Sequence, residues 1–74
     1  MFVMRVFQSR EQITDNERKA LSLAATGLSF DEIGARMYKS GRTVKEYLNQ
    51  ARDKLGCRKT VDTVATAIRQ GVIQ

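Results

Sequence analysis

Lys45 and Asn49 stand four residues apart, the interval at which two side chains project from one face of a helix. An ammonium donates to guanine O6 or N7, and a carboxamide pairs with N6 and N7 of adenine, so the two together can read base edges in a major groove. Glu46 lies beside them and can accept from cytosine N4, or exclude sequences that set an acceptor against its charge. Thr43 offers a hydroxyl suited to a backbone phosphate, flanked by Lys39, Ser40 and Arg42, and Arg52 continues the basic series. Each of these types also has a plainer use. Ser40 or Thr43 can simply cap a helix, and Lys45 and Asn49 can be solvated surface positions.

Charge placement bears on that choice. Residues 36–59 hold eight basic residues against Glu46 and Asp53, so this segment carries +6 while the other fifty residues sum to −1. Such concentration suggests a polyanion-binding surface, although a solvated basic face has the same composition. One cysteine, Cys57, and no histidine exclude a disulfide within the chain and any ordinary zinc site. No nucleophile–base pair is evident, so neither catalysis nor a metal or cofactor is expected. With 74 residues there is room for one domain near the lower size limit for a single core. No apolar stretch is long enough to span a bilayer, and the reading is a cytoplasmic chain without membrane contact. Residues 1–7 are apolar apart from Arg5, but too short for a signal peptide and followed by no small-residue cleavage site. They fit a linker, an element docking on the domain, or a partner-binding strip.

Capping residues and glycines divide the rest into four helices. Thr14 with Glu17 forms a capping box, Ala20, Leu21, Ala24 and Ala25 supply an apolar stripe, and Gly27 ends the helix. Ser29 with Glu32 opens a second, shorter helix with Phe30, Ile33 and Met37 on its buried side. Gly34 lies inside it, at a cost of about 1 kcal/mol relative to alanine that close packing against another helix would explain. A break at residues 38–41 precedes a longer helix, roughly 42–55, stopped by Gly56. At 100° per residue, Val44, Leu48, Ala51 and Leu55 fall on one side, and Arg42, Lys45, Asn49 and Arg52 fall opposite, within about 80° of arc. The fourth helix starts near Thr60, and its stripe of Val61, Val64, Ala65 and Ile68, with Val72, is expected to face the core. Cys57 reads as a small residue packing after a helix stop rather than a redox sensor. Tyr38 and Tyr47 can either touch phosphate or cover the core.

Two short helices with a tight turn, the second bearing a basic face, are the ingredients of a helix-turn-helix. The ordered motifs Gly27-Leu-Ser-Phe-Asp-Glu-Ile-Gly34, Ser40-Gly-Arg-Thr-Val-Lys45, Lys54-Leu-Gly56 and Gly71-Val-Ile73 closely resemble the LuxR-type, or GerE-like, DNA-binding domain. The resemblance covers about sixty residues with all spacings intact. It implies an all-α, four-helix domain over residues 13–74, following an extension at 1–12, with the second and third helices as the helix-turn-helix. It further implies a transcriptional regulator that contacts bases through Lys45, Glu46 and Asn49 and phosphate through Thr43, and that dimerises on double-stranded DNA through its fourth helix. On that helix Thr63, Thr66, Ala67 and Gln70, lying beside the apolar stripe, are the expected dimer surface. RNA polymerase or a full-length relative are further partners that the resemblance brings.

The chain departs from the pattern in places. Glu46 is acidic where relatives usually carry an uncharged residue, Asn49 is shorter than the basic residues some use, and Tyr47 replaces a frequent histidine. These departures bear on which base sequence is read, not on how the domain docks. The competing function is an interaction module, in which a truncated member heterodimerises with full-length relatives through its fourth helix.

Overall fold

A computed structural model describes residues 13–73; the extension at 1–12, with its apolar strip, and residue 74 lie outside the described residues. Four helices follow in order: α1 (Asp15–Ala24), α2 (Phe30–Met37), α3 (Gly41–Lys54) and α4 (Thr60–Arg69). The fold is all-α, and α3 is its centre, packing on each of the other three helices, while α4 also rests on α1.

The first two helices begin as local chemistry dictates. Thr14 Oγ1 accepts from the Glu17 amide at 3.1 Å while the Thr14 amide donates to Glu17 Oε1 at 3.1 Å. Ser29 and Glu32 repeat the exchange at 3.2 and 2.8 Å. Both are complete capping boxes, satisfying amides that a helix start leaves orphaned. The Ser29 amide and hydroxyl hold the Glu32 carboxyl below its ordinary pKa, more than its slight desolvation raises it, with Arg36 adding to the lowering. That contribution to stability is therefore present above the usual carboxylate range and lost as pH falls through the lowered value.

The turn between α2 and α3 depends on Gly34. Its carbonyl accepts from the Lys39 amide at 2.9 Å, and a Cβ there would collide with the Lys39 carbonyl oxygen and lie 3.1 Å from the Ser40 carbonyl carbon. The close approach expected of Gly34 is real, but its partner is the turn and the start of α3 rather than the side of another helix. Tyr38 makes the reversal at φ +59°, ψ +40°, a left-handed conformation that costs a residue with a Cβ about 1–2 kcal/mol.

The core joins Ile13, Ala20, Leu21, Ile33, Val44, Leu48, Ala51, Ala67, Val72 and Ile73. Phe30 and Ala25, expected inside, are exposed. Helix α4 departs further from its sequence pattern. Val61 is 71% exposed and Ile68 48%, Ala65 is exposed and Val64 half-buried, whereas Thr63 and Ala67 are fully buried. The buried side of the helix thus lies roughly a third of a turn from the expected one. Small residues at 63 and 67 bring its backbone close to α1 and α3, and the Thr63 hydroxyl is satisfied by the Lys59 carbonyl at 2.9 Å, so its burial leaves no donor unmatched. Val72 and Ile73, past Gly71, complete the apolar closure.

Of the four residues expected to form a dimer surface, two are therefore closed off from a partner and two stay partly exposed. Thr63 and Ala67 are core, Thr66 is half-buried with its hydroxyl accepting from Cys57 Sγ at 3.3 Å and Arg69 at 3.1 Å, and Gln70 is half-buried. Ala67→Arg should therefore abolish the cooperative thermal transition, because it forces an unpaired charge into the core. Val61→Lys should shift the midpoint by no more than about 4 °C. Circular dichroism melts compare the two; an Ala67→Arg chain that melts like the wild type would reverse this assignment of faces.

Candidate nucleic-acid interface

The two faces of α3 separate cleanly. Val44, Leu48 and Ala51 are buried to within 1%; Arg42, Lys45 and Glu46 are exposed, and Asn49 and Arg52 half-buried on the opposite side. Arg42 and Arg52, ten residues apart, are separated by about 15 Å along the axis. Arg52 leans towards Asp53, with Nη2 3.3 Å from its carboxylate, a mostly exposed pair that contributes little to stability.

At the start of α3, Ser40 is the N-cap. Its Oγ accepts from the Thr43 amide at 3.1 Å and donates to Thr43 Oγ1 at 3.0 Å. The Thr43 hydroxyl thus accepts from its neighbour and keeps its own proton for an outside acceptor. The Gly41 and Arg42 amides, in the first turn, have no intrahelical carbonyl to meet, and the helix dipole adds positive potential there. Lys39 and Ser40 are exposed beside them. Lys39, Ser40, Arg42, Thr43, Lys45, Glu46, Asn49 and Arg52 thereby form one surface, running from the turn along the polar side of α3.

Two features of this surface escape a local reading of the sequence. The Asp31 carboxylate, at the start of α2, fills the space where a side chain on Gly41 would begin, placing one negative charge beside the α3 N-terminus. A glycine at the first helical position is the faint signal of that neighbour. The second is the support beneath the helix. Lys54 Nζ, in its last turn, donates to both carboxylate oxygens of Glu17 at 2.8 and 3.0 Å, and Glu17 is 1% exposed. Residues 37 apart carry no sequence signal of such a meeting. Tyr47 is half-buried and packs on the core, while Tyr38 is 94% exposed. Cys57 is half-buried against Thr66 on α4, in keeping with a packing role. Among the described residues no group of histidine, cysteine or carboxylate side chains could hold a metal ion, and no helix is long and apolar enough to cross a membrane.

An all-α domain in which a two-helix turn presents the exposed basic face of its second helix is of the helix-turn-helix class. Residues 11–67 match the family model of bacterial regulatory proteins of the luxR family, and the chain belongs to that family. It is 39% identical over 62 residues to the transcriptional activator protein BjaR1 of Bradyrhizobium diazoefficiens, a match covering 84% of this chain and 26% of that protein. It is 28% identical over 68 residues to the spore germination protein GerE of Bacillus subtilis, covering 92% of each. The chain thus spans about a quarter of BjaR1 and nearly all of GerE. No solved structure gives a significant match.

Removing one partner of the Glu17–Lys54 pair strands a buried charge, which costs about 3–5 kcal/mol. Water reaches Lys54, whose side chain is 28% exposed, so the lower end applies. Lys54→Ala should reduce unfolding free energy by about 3 kcal/mol in urea titrations; a change below about 0.5 kcal/mol would mean that the pair does not hold α3 in place.

Proposed function

We propose that this chain binds double-stranded DNA to regulate transcription, laying α3 in the major groove with the turn before it against the phosphate backbone. The observation that carries this reading is the division of α3, whose buried residues Val44, Leu48 and Ala51 are all apolar and whose outer side collects Arg42, Lys45, Asn49 and Arg52. The groove admits one helix, and the N-terminal half of α3 is the part left open to enter it. Lys45, Glu46 and Asn49 are the base-reading positions. Lys39, Ser40, Arg42, Thr43 and Arg52 are the phosphate contacts, with the α3 amides assisting. A cytoplasmic location accords with such a role.

The chain pairs on DNA through the outer face of α4, now defined by Val61, Ala65 and Ile68 with Val64 at its edge. This face differs from the one expected from sequence in leaving out Thr63 and Ala67, which are buried. It is small against the 1,200 Å² or so of total burial that stable complexes need, so pairing is weak until two half-sites, about 10 base pairs apart between centres, align two copies. The same exposed apolar face favours a second reading, in which the chain pairs with the fourth helix of a full-length family member and tunes it.

Two measurements test these readings. Lys45→Ala or Asn49→Ala should cost about 1–3 kcal/mol on a duplex selected from random sequence and relax preference at one or two positions. Arg42→Ala should weaken all duplexes alike and flatten the log–log salt slope by about one unit. Unchanged ratios between selected and scrambled duplexes for both base-face variants would remove α3 as the reading helix. For pairing, Ala65→Arg should leave binding to a single half-site intact and eliminate the two-protomer complex on a palindrome in sedimentation; two protomers bound as before would place the contact elsewhere.

A further inference from the structure

Four residues among those described hold the left-handed backbone conformation. Three are glycines at helix ends, Gly27, Gly56 and Gly71, at φ +89°, +72° and +75°. The fourth is Tyr38, at φ +59°. Glycine adopts this conformation without steric cost, so the backbone gives no reason for tyrosine at 38. Packing gives none either, for the side chain is 94% exposed, the most exposed large hydrophobic residue described. Strained residues with side chains cluster where a ligand is met. Tyr38 sits in the turn that leads into α3, two residues before the Ser40 cap, with its Cα within about 7 Å of that of Ser40.

We infer that Tyr38 is an additional DNA-backbone contact, its phenol hydroxyl donating to a phosphate oxygen and its ring covering the adjoining deoxyribose. This inference rests on the proposed docking of α3. Tyr38 lies outside the helix, in the turn before its cap, so it meets the strand at the groove edge rather than base edges. Its contact is therefore independent of sequence. Lys39, Ser40 and Thr43 address the same stretch of backbone, and a tyrosine held out from the fold extends that contact one residue upstream of Lys39.

Tyr38→Gly separates the two roles, because it relieves the backbone while deleting the contact. The variant should melt at or above the wild-type temperature, yet bind selected and scrambled duplexes about fivefold more weakly, a loss equivalent to one net hydrogen bond. Tyr38→Phe should fall between the two proteins. A second readout does not depend on how the glycine variant folds. The chain has two tyrosines and no tryptophan, so in a Tyr47→Phe background Tyr38 is the sole tyrosine emitter. Acrylamide should quench its fluorescence freely in the isolated protein and much less with saturating duplex. Unaltered affinity of Tyr38→Gly, or equal quenching with and without duplex, would overturn the inference. If Arg42→Ala is weakened at the same time, the DNA reading stands and only the Tyr38 contact falls. A wild-type chain that binds no duplex at low salt would remove both.

Discussion

Lys54 and Glu17 meet where water scarcely reaches the carboxylate, and the orientation of α3 depends on that meeting. The carboxylate also completes the capping box of α1, accepting from the Thr14 amide as well as from the lysine. One buried group therefore starts the first helix and pins the last turn of the third. An isolated carboxylate in such a place would be unstable, so the pair forms together or not at all, and α3 cannot slide or rotate without breaking it. The apolar side of α3 then seals against Leu21 and Ile33, and its basic side is left outward by exclusion.

At the other end of α3 the constraint is steric. Gly34 lets the Lys39 carbonyl approach α2 to a distance that a Cβ would forbid, and Asp31 occupies the space left by the absent side chain of Gly41. With Tyr38 turned into the left-handed region, the chain reverses within three residues. The Ser40 cap then presents the first amides of α3 beside Lys39 and Arg42. A helix pinned at its C-terminal turn by charge and at its N-terminal turn by close packing offers a preorganised surface, which lowers the ordering cost that binding would otherwise carry.

Much of this fold was legible because its signals are local. Thr14 with Glu17, and Ser29 with Glu32, are three residues apart, and both capping boxes form as their spacing requires. The faces of α3 were legible too, since Val44, Leu48 and Ala51 leave no competing apolar stripe. In α4 the pattern misled. Val61, Val64, Ala65 and Ile68 make the more hydrophobic stripe, but Thr63 and Ala67 make the closer-packing one, and a threonine that bonds its own helix carbonyl can be buried as readily as an alanine. Closeness of approach decided the register, and a sequence does not display it. Nor does it display the Glu17–Lys54 pair or the Asp31 carboxylate beside Gly41, both products of tertiary structure. The α3 residues proposed to touch DNA lie on one side of the helix, a relation that helical spacing conveyed for Lys45 and Asn49; the exposure and left-handed backbone of Tyr38 it did not convey.

The central claim is that the turn and the outer face of α3 are where duplex DNA is met. The most direct measurement is an amide chemical-shift titration of the ¹⁵N-labelled chain with a single-half-site duplex, which isolates the contact surface from pairing. The account predicts the largest perturbations at residues 38–49, with α1 and the outer side of α4 nearly still. Saturable binding that moves α1 or residues 61–68 and leaves 38–49 unperturbed would contradict it.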